Sequence, residues 1–138
     1  MIIKDLRAQL VKHEGLRLKP YKDTVGKWTI GVGRNLSDVG ISEAEASYLL
    51  DNDIRKAVDD ASTLVENFET LNDTRQHVLI DMAFNLGRSR LSKFRLMLAA
   101  VEAGDFKKAA DEMVNSRWYL QVGPRSARLE LMMRTGST

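Results

Sequence analysis

The 138-residue chain contains no cysteine, so neither a disulfide framework nor a thiolate metal site is open to it. It has two histidines, and His77 has no second histidine or cysteine at ligand spacing, so no metal site is implied. A dominant charge is also missing. Twenty-one lysines and arginines against 19 acids leave a formal charge of +2. A surplus that mild favours anionic surfaces (a cell wall, a nucleic acid, lipid head groups) without choosing among them. No segment approaches the roughly 20 apolar residues of a membrane-spanning helix. The N-terminus, interrupted by Lys4, Asp5, Arg7 and Lys12, lacks a signal-peptide core and a small-residue cleavage site. A soluble protein with no export signal of its own and no membrane insertion is expected. If its substrate lies outside the cytoplasm, something else must let it out. Internal repeats, low-complexity runs and long linkers are absent too. With 43% hydrophobic and 29% charged residues, the chain has the material for a packed core and is not disordered by composition.

The patterns that are present begin at the N-terminus. Ile3, Leu6 and Leu10 recur at helical spacing and predict a short amphipathic helix over the first dozen residues, with Gly15 as its stop. Between Leu16 and Leu36 the pattern changes. Pro20 breaks any helix, Asp23-Thr24-Val25-Gly26 reads as a turn, and the alternation in Trp28-Thr29-Ile30-Gly31-Val32 predicts a strand with one buried face. From Ser42 onward the chain reads as helical. Ser42 and Glu45 make a capping-box pattern, and Leu49, Leu50, Ile54 and Val58 mark an apolar stripe on a helix that can bridge two lobes. Asp73 with Gln76 suggests a second capped start, ending at Gly87. Phe94 to Val101, Phe106 to Val114 and Pro124 to Met133 read as further short helices, with Asp105 as an N-cap. Met97, Met113, Met132 and Met133 read as core filling, and Trp28, Trp118 and Tyr119 as packing aromatics. The fold class expected is α+β and mostly helical, in a single domain spanning 1–138. A small mixed lobe is expected at about 14–45, and a helical lobe at about 60–138 together with the N-terminal helix 1–13.

Chemistry concentrates between His13 and Gly33. Glu14 sits at the end of the first helix, Asp23 in the turn and Thr29 in the strand. Cleavage of an acetal such as a glycosidic bond needs one acid protonated to donate to the leaving oxygen and another ionised to activate or position water. A carboxyl group that loses hydration favours its protonated form, one on an exposed hairpin stays ionised, and a threonine orients water without ionising. Each residue also has a plainer reading: Glu14 as a capping or surface acid, Asp23 as a turn former, Thr29 as an ordinary strand residue. His13 does not share a helix face with Glu14 and reads as a solvent-exposed neighbour. Gly31-x-Gly33 is too short for a nucleotide fingerprint and has no helix directly after it.

Glu14-Gly15, Asp23 and Thr29-Ile30-Gly31-Val32-Gly33 closely resemble the T-even phage lysozyme family of endolysins. The resemblance continues in order through Ala83-Phe84-Asn85-Leu86-Gly87, Ser116-Arg117-Trp118-Tyr119, Arg125-Ser126-Ala127-Arg128 and Arg134-Thr135-Gly136. It implies a lysozyme-like two-lobe fold around a saccharide cleft, and hydrolysis of the β-1,4 bond between N-acetylmuramic acid and N-acetylglucosamine in peptidoglycan. Residue by residue, Glu14 matches the general acid, Asp23 the second catalytic carboxylate and Thr29 the hydroxyl beside the attacking water. Gly33 and Asn85 match positions lining the saccharide groove. Tyr21 and Phe84 offer apolar area to sugar rings, and Arg125 matches an arginine that approaches and orients the acid. The resemblance also implies an inverting course, which asks for carboxyl groups roughly 6.5–9.5 Å apart, and action without cofactor or metal. A monomer is expected, held in the host cytoplasm until a separate holin opens the way to the wall. The chain departs from the family at Arg34, where a histidine is common, and the connection from Asn35 to Ser42 is markedly shorter than in longer members.

Other classes remain open at this stage. A lytic transglycosylase cleaves the same bond with one essential acid, but the retained Asp23 and Thr29 argue for hydrolysis. A non-catalytic wall-binding relative is disfavoured for the same reason. Arg117, Arg125, Arg128 and Arg134 raise nucleic-acid binding, which the interspersed Asp105, Asp111, Glu112 and Glu130 argue against.

Overall fold

The computed structural model of the chain describes residues 2–138. The elements run α1 (Ile3–Glu14), β1 (Arg17–Lys22), β2 (Trp28–Gly31), β3 (Arg34–Asn35), α2 (Glu43–Leu64), α3 (Asp73–Leu86), α4 (Arg88–Leu91), α5 (Arg95–Glu102), α6 (Phe106–Val114), α7 (Arg117–Val122) and α8 (Pro124–Thr135). The class is mostly helical α+β, as expected. Two compact units divide the chain, one up to Tyr48 and the other from Leu49 to Thr138. No described helix is long and apolar enough to cross a membrane.

In the first unit, α1 stops where the sequence places its stop. Gly15 adopts φ 77°, and its N–H donates to the Val11 carbonyl at 2.8 Å, a termination that glycine makes without steric cost. β1 and β2 pair antiparallel, with Tyr21 opposite Thr29 and an irregular register between Arg17 and Tyr21. Pro20 lies in that stretch and has no N–H to give to a ladder. The strand expected to run through Val32 ends at Gly31. Gly31 and Gly33, at φ 68° and 67°, turn the chain back into β3, which sets Thr29 opposite Asn35 and Ile30 opposite Arg34. That third strand, two residues long, carries no alternation to be read. Trp28 does not pack into a core; it is 47% exposed, whereas Thr29 is 4% exposed. Successive strand residues face opposite ways, so burying Thr29 turns Trp28 outward, where Lys22 Nζ sits 5.2 Å from its ring centroid, a cation–π contact.

The capping box forms as read. The Ser42 N–H donates to Glu45 Oε1 at 2.8 Å, and the Glu45 N–H donates to Ser42 Oγ at 3.1 Å. The stripe that follows differs from expectation. Leu49, Leu50 and Ile54 are exposed, and the buried face of α2 is Ala57, Asp60 and Ala61. Burial of the acid is compensated: Lys56 Nζ reaches it at 3.1 Å and Arg88 Nε at 3.0 Å. Burial pushes the Asp60 carboxyl up, but these cationic partners outweigh it and hold the group below its ordinary value. The bond to Arg88 also ties α2 to α4.

In the second unit Val78, Leu79, Met82, Ala83 and Leu86 form the buried face of α3. Its N-cap is Asn72, one residue before the expected Asp73, with Asn72 Oδ1 accepting from the Arg75 N–H at 2.9 Å. Gln76 is engaged instead with the Phe68 carbonyl. Met97, Leu98, Ala100 and Val101 of α5, Ala109, Ala110 and Met113 of α6 and Leu129 and Met133 of α8 join the same core; the alanines let these helices approach closely. Asp105 caps α6 as expected, accepting from the Lys108 N–H. The short α4 and α7 were not anticipated, being only four and six residues long. Trp118 is buried as read and meets Phe94 edge to face, centroids 6.2 Å apart.

Candidate active site

Glu14, Tyr21, Asp23, Thr29 and Gly33 lie in the first unit, whereas Phe84, Asn85 and Arg125 lie in the second. Glu14 is the last residue of α1, and its side chain rests against Gly33. A Cβ added at Gly33 would meet Glu14 Oε2 at 3.0 Å and its Cδ at 3.2 Å, besides φ +67°. Glycine at 33 therefore answers two demands, a left-handed backbone and room for the acid. His13, beside it, is exposed.

Asp23 is held by the turn it helps to make. Its Oδ1 accepts from the N–H groups of Val25 at 2.9 Å and Lys27 at 2.8 Å, and its own N–H donates to the Lys27 carbonyl at 2.9 Å. One carboxylate oxygen is thus used for structure, leaving Oδ2 free of described protein partners. The turn reading and the chemical reading of Asp23 are compatible at the level of single atoms.

Thr29 is buried, and its hydroxyl donates to the Lys27 carbonyl at 2.9 Å. Its proton is spent there, so toward any further partner Oγ1 is an acceptor. Tyr21 faces Thr29 across the ladder and carries the Arg17 guanidinium 4.2 Å from its ring centroid.

Arg34 stands where the family commonly has a histidine, and in the structure it pairs with Glu45. Its Nη1 donates to the Gly40 carbonyl at 3.1 Å and to Glu45 Oε1 at 2.9 Å, while Nη2 pairs with Glu45 Oε2 at 2.8 Å. The bonds from Arg34, with those from Ser42, lower the Glu45 carboxyl from the ordinary 4.5 to about 2, and Glu45 in turn raises Arg34. The Glu45 signal was legible as a helix cap; its second role needed the third strand.

In the second unit, Asn85 is exposed, and its Oδ1 accepts from Trp118 Nε1 at 3.1 Å. The amide nitrogen remains as a donor. Phe84 beside it is 46% exposed. Arg125 donates from Nε to Asp81 Oδ1 at 2.9 Å and pairs with it through Nη2 as well. Asp81 and the indole of Trp118 are therefore partners of candidate residues that sequence reasoning missed. Asp81 lies 44 residues from Arg125, beyond any local pattern. A separate cavity of about 560 Å³ in this unit has Phe94, Met97 and Trp118 in its wall.

An acid at a helix end, an aspartate and a buried threonine on the adjoining hairpin, and a helical second unit define a small α+β domain of the lysozyme type. The phage lysozyme family profile matches residues 11–134. The chain belongs to that family. It is 27% identical to probable T4-type lysozyme 2 of Dictyostelium discoideum, over 99% of this chain and 97% of that protein. The alignment is longer than the chain, so this relative carries insertions that the chain lacks. The endolysin of Salmonella phage P22 is 32% identical over 75% of each chain. The pre-baseplate central spike protein Gp5 of Enterobacteria phage T4 is 31% identical over 96% of this chain, but that stretch is 28% of the spike protein.

Proposed function

We propose that the chain is an endolysin that hydrolyses the β-1,4 bond between N-acetylmuramic acid and N-acetylglucosamine in bacterial peptidoglycan, with inversion. Glu14 gives its proton to the glycosidic oxygen as the bond from the anomeric carbon to that oxygen breaks. A water attacks the opposite face of that carbon and passes a proton to Asp23, whose Oδ2 is the oxygen not held by backbone amides. Thr29 accepts a hydrogen bond from the same water, which fixes where the attacking lone pair points. The division of labour at Asp23 and Thr29 is the observation that carries this reading: Asp23 commits Oδ1 to two turn amides and Thr29 its hydroxyl proton to the Lys27 carbonyl, and each keeps an acceptor position for water. Phe84, Tyr21, the Gly33 backbone and the Asn85 amide nitrogen bind the glycan. For Arg125 the resemblance implies an orienting charge; its partner within the second unit is Asp81, and an Arg125→Ala variant with activity and stability both unchanged would remove it from the reading. The protein acts as a monomer without cofactor, and a separate holin releases it from the host cytoplasm to the wall; lysis on expression only when a holin is co-expressed checks that step.

Clearing of purified peptidoglycan by wild type and Glu14→Gln tests the assignment. General acid catalysis contributes roughly 10²–10⁴-fold, so the variant is expected to lose at least about a hundredfold with its thermal midpoint little changed. Undiminished turnover in Glu14→Gln would remove Glu14 from its role. Mass analysis of the products checks the reaction class, because hydrolysis leaves reducing muramic ends and a transglycosylase leaves anhydro ends.

A further inference from the structure

Within the first unit no hydrogen bond among the described residues holds the Glu14 carboxylate. Its position is set by packing, and the surface it packs on is the backbone of Gly33, where a Cβ would lie 3.0 Å from Oε2, 3.2 Å from Cδ and 3.3 Å from Cγ. Three successive side-chain atoms thus follow one glycine. A glycine with nothing but its own φ to hold it is a soft wall, so the placement of the acid depends on what fixes the next residue. That residue is Arg34, opposite Ile30 in the ladder. Its guanidinium closes on three acceptors: the Gly40 carbonyl at 3.1 Å, Glu45 Oε1 at 2.9 Å and Glu45 Oε2 at 2.8 Å. Glu45 is itself pinned, since Oε1 accepts the Ser42 N–H and its own N–H donates to Ser42 Oγ. The clasp therefore joins β3, the turn after it and the N-terminus of α2.

We infer that Arg34 is a positioning residue for the reaction: by clasping Glu45 and the Gly40 carbonyl it holds the Gly33 backbone as the wall that sets the Glu14 carboxylate. The inference rests on the assignment of Glu14 as the acid. A planar fork can meet both oxygens of one carboxylate and a carbonyl together, which a lysine ammonium does less well. Arg34 and Glu45 side chains are 39% and 43% exposed, and half-exposed pairs contribute little to folding stability. Misplacement of a reacting group by about 1 Å can cost on the order of a hundredfold in rate. The two effects separate a positioning role from a structural one.

The experiment compares wild type, Arg34→Gln, Arg34→Lys and Glu45→Gln, with Asp38→Asn as the control. Asp38 makes an ion pair with Lys27 at 3.2 Å and accepts from Asn35 Nδ2 of β3 at 3.1 Å, so its loss disturbs the same hairpin without removing a bond of Arg34 or Glu45. On a soluble uncross-linked glycan, Arg34→Gln is expected to lower kcat roughly tenfold or more with KM within about twofold. The thermal midpoint stays near wild type, Arg34→Lys recovers part of the rate, and Asp38→Asn keeps it. Glu45→Gln retains an oxygen for the Ser42 N–H and is expected to follow Arg34→Gln. It decides the matter if Arg34→Gln proves unstable. Unchanged kcat in the clasp variants, a loss that tracks the unfolded fraction, a change confined to KM, or an equal loss in Asp38→Asn overturns the inference. Turnover retained by Glu14→Gln would strike the proposed acid instead, and so distinguishes the two failures.

Discussion

Thr29 is the single buried side chain among the described residues up to Tyr48, and it is polar. Such a group normally has its hydrogen bond made, and here the Lys27 carbonyl accepts it. That carbonyl also accepts the Asp23 N–H, so it keeps a partner if the hydroxyl is removed. Thr29→Val preserves shape and β-branching in a strand. It is expected to leave the thermal midpoint nearly unchanged while lowering kcat. One hydrogen bond to a neutral partner contributes about 0.5–1.5 kcal/mol, a loss of roughly two- to tenfold. Thr29→Ser restores the rate if the hydroxyl, not the methyl, is responsible. A Thr29→Val enzyme with full kcat would reduce Thr29 to a structural residue.

The helix ends show which parts of the fold a sequence can carry. The Ser42–Glu45 box, the Asp105 cap and the glycine stops at 15 and 87 were legible because each is a contact over three or four residues. The partners of the candidate residues were not, since Asp81 meets Arg125, Trp118 meets Asn85 and Arg34 meets Glu45 only after strands and helices have formed. The α2 stripe misled for a related reason: apolar spacing gives a face, but burial begins only at Ala57. The α2 terminus also predicts an acid response. The folded Glu45 carboxyl titrates near 2 instead of 4.5, so between these values the unfolded chain binds more protons and stability rises with pH. The contribution of the Glu45 charge is complete above about 4.5 and is lost as pH falls toward 2. The pair is half-exposed, so the difference in stability between wild type and Glu45→Gln should be small; what there is of it should be present above that window and vanish below it. Curves that stay parallel through it would mean that the Arg34 clasp does not survive in solution.

Across the whole molecule the net charge of +2 understates how the cations are sorted. Arg34, Lys56, Arg88, Arg125 and Arg134 each face a carboxylate. Two of the four arginines that made a nucleic-acid reading conceivable, Arg125 and Arg134, are thereby partly neutralised. Arg90, Lys93, Arg95 and Arg117 have no ion pair among the described residues, and all four line the cavity of about 560 Å³ in the helical unit, where Glu112 is the one acid. That rim is one concentrated patch that an anionic wall would meet, beside other cations without an ion pair among the described residues, such as Arg17, Lys19 and Lys22 of β1. Screening acts on exposed charges over about 10 Å at 0.1 M salt, so wall clearing should slow as salt rises from about 0.05 to 0.2 M. Replacing Arg90, Lys93 and Arg95 together by glutamine should flatten that dependence. The same loss of charge elsewhere, at Lys107 and Lys108, should leave most of the slope. Thermal midpoints near wild type would show that the helical unit is intact. Equal slopes for the two sets would mean that net charge alone draws the enzyme to the wall, and the cavity rim would then have no special part in it.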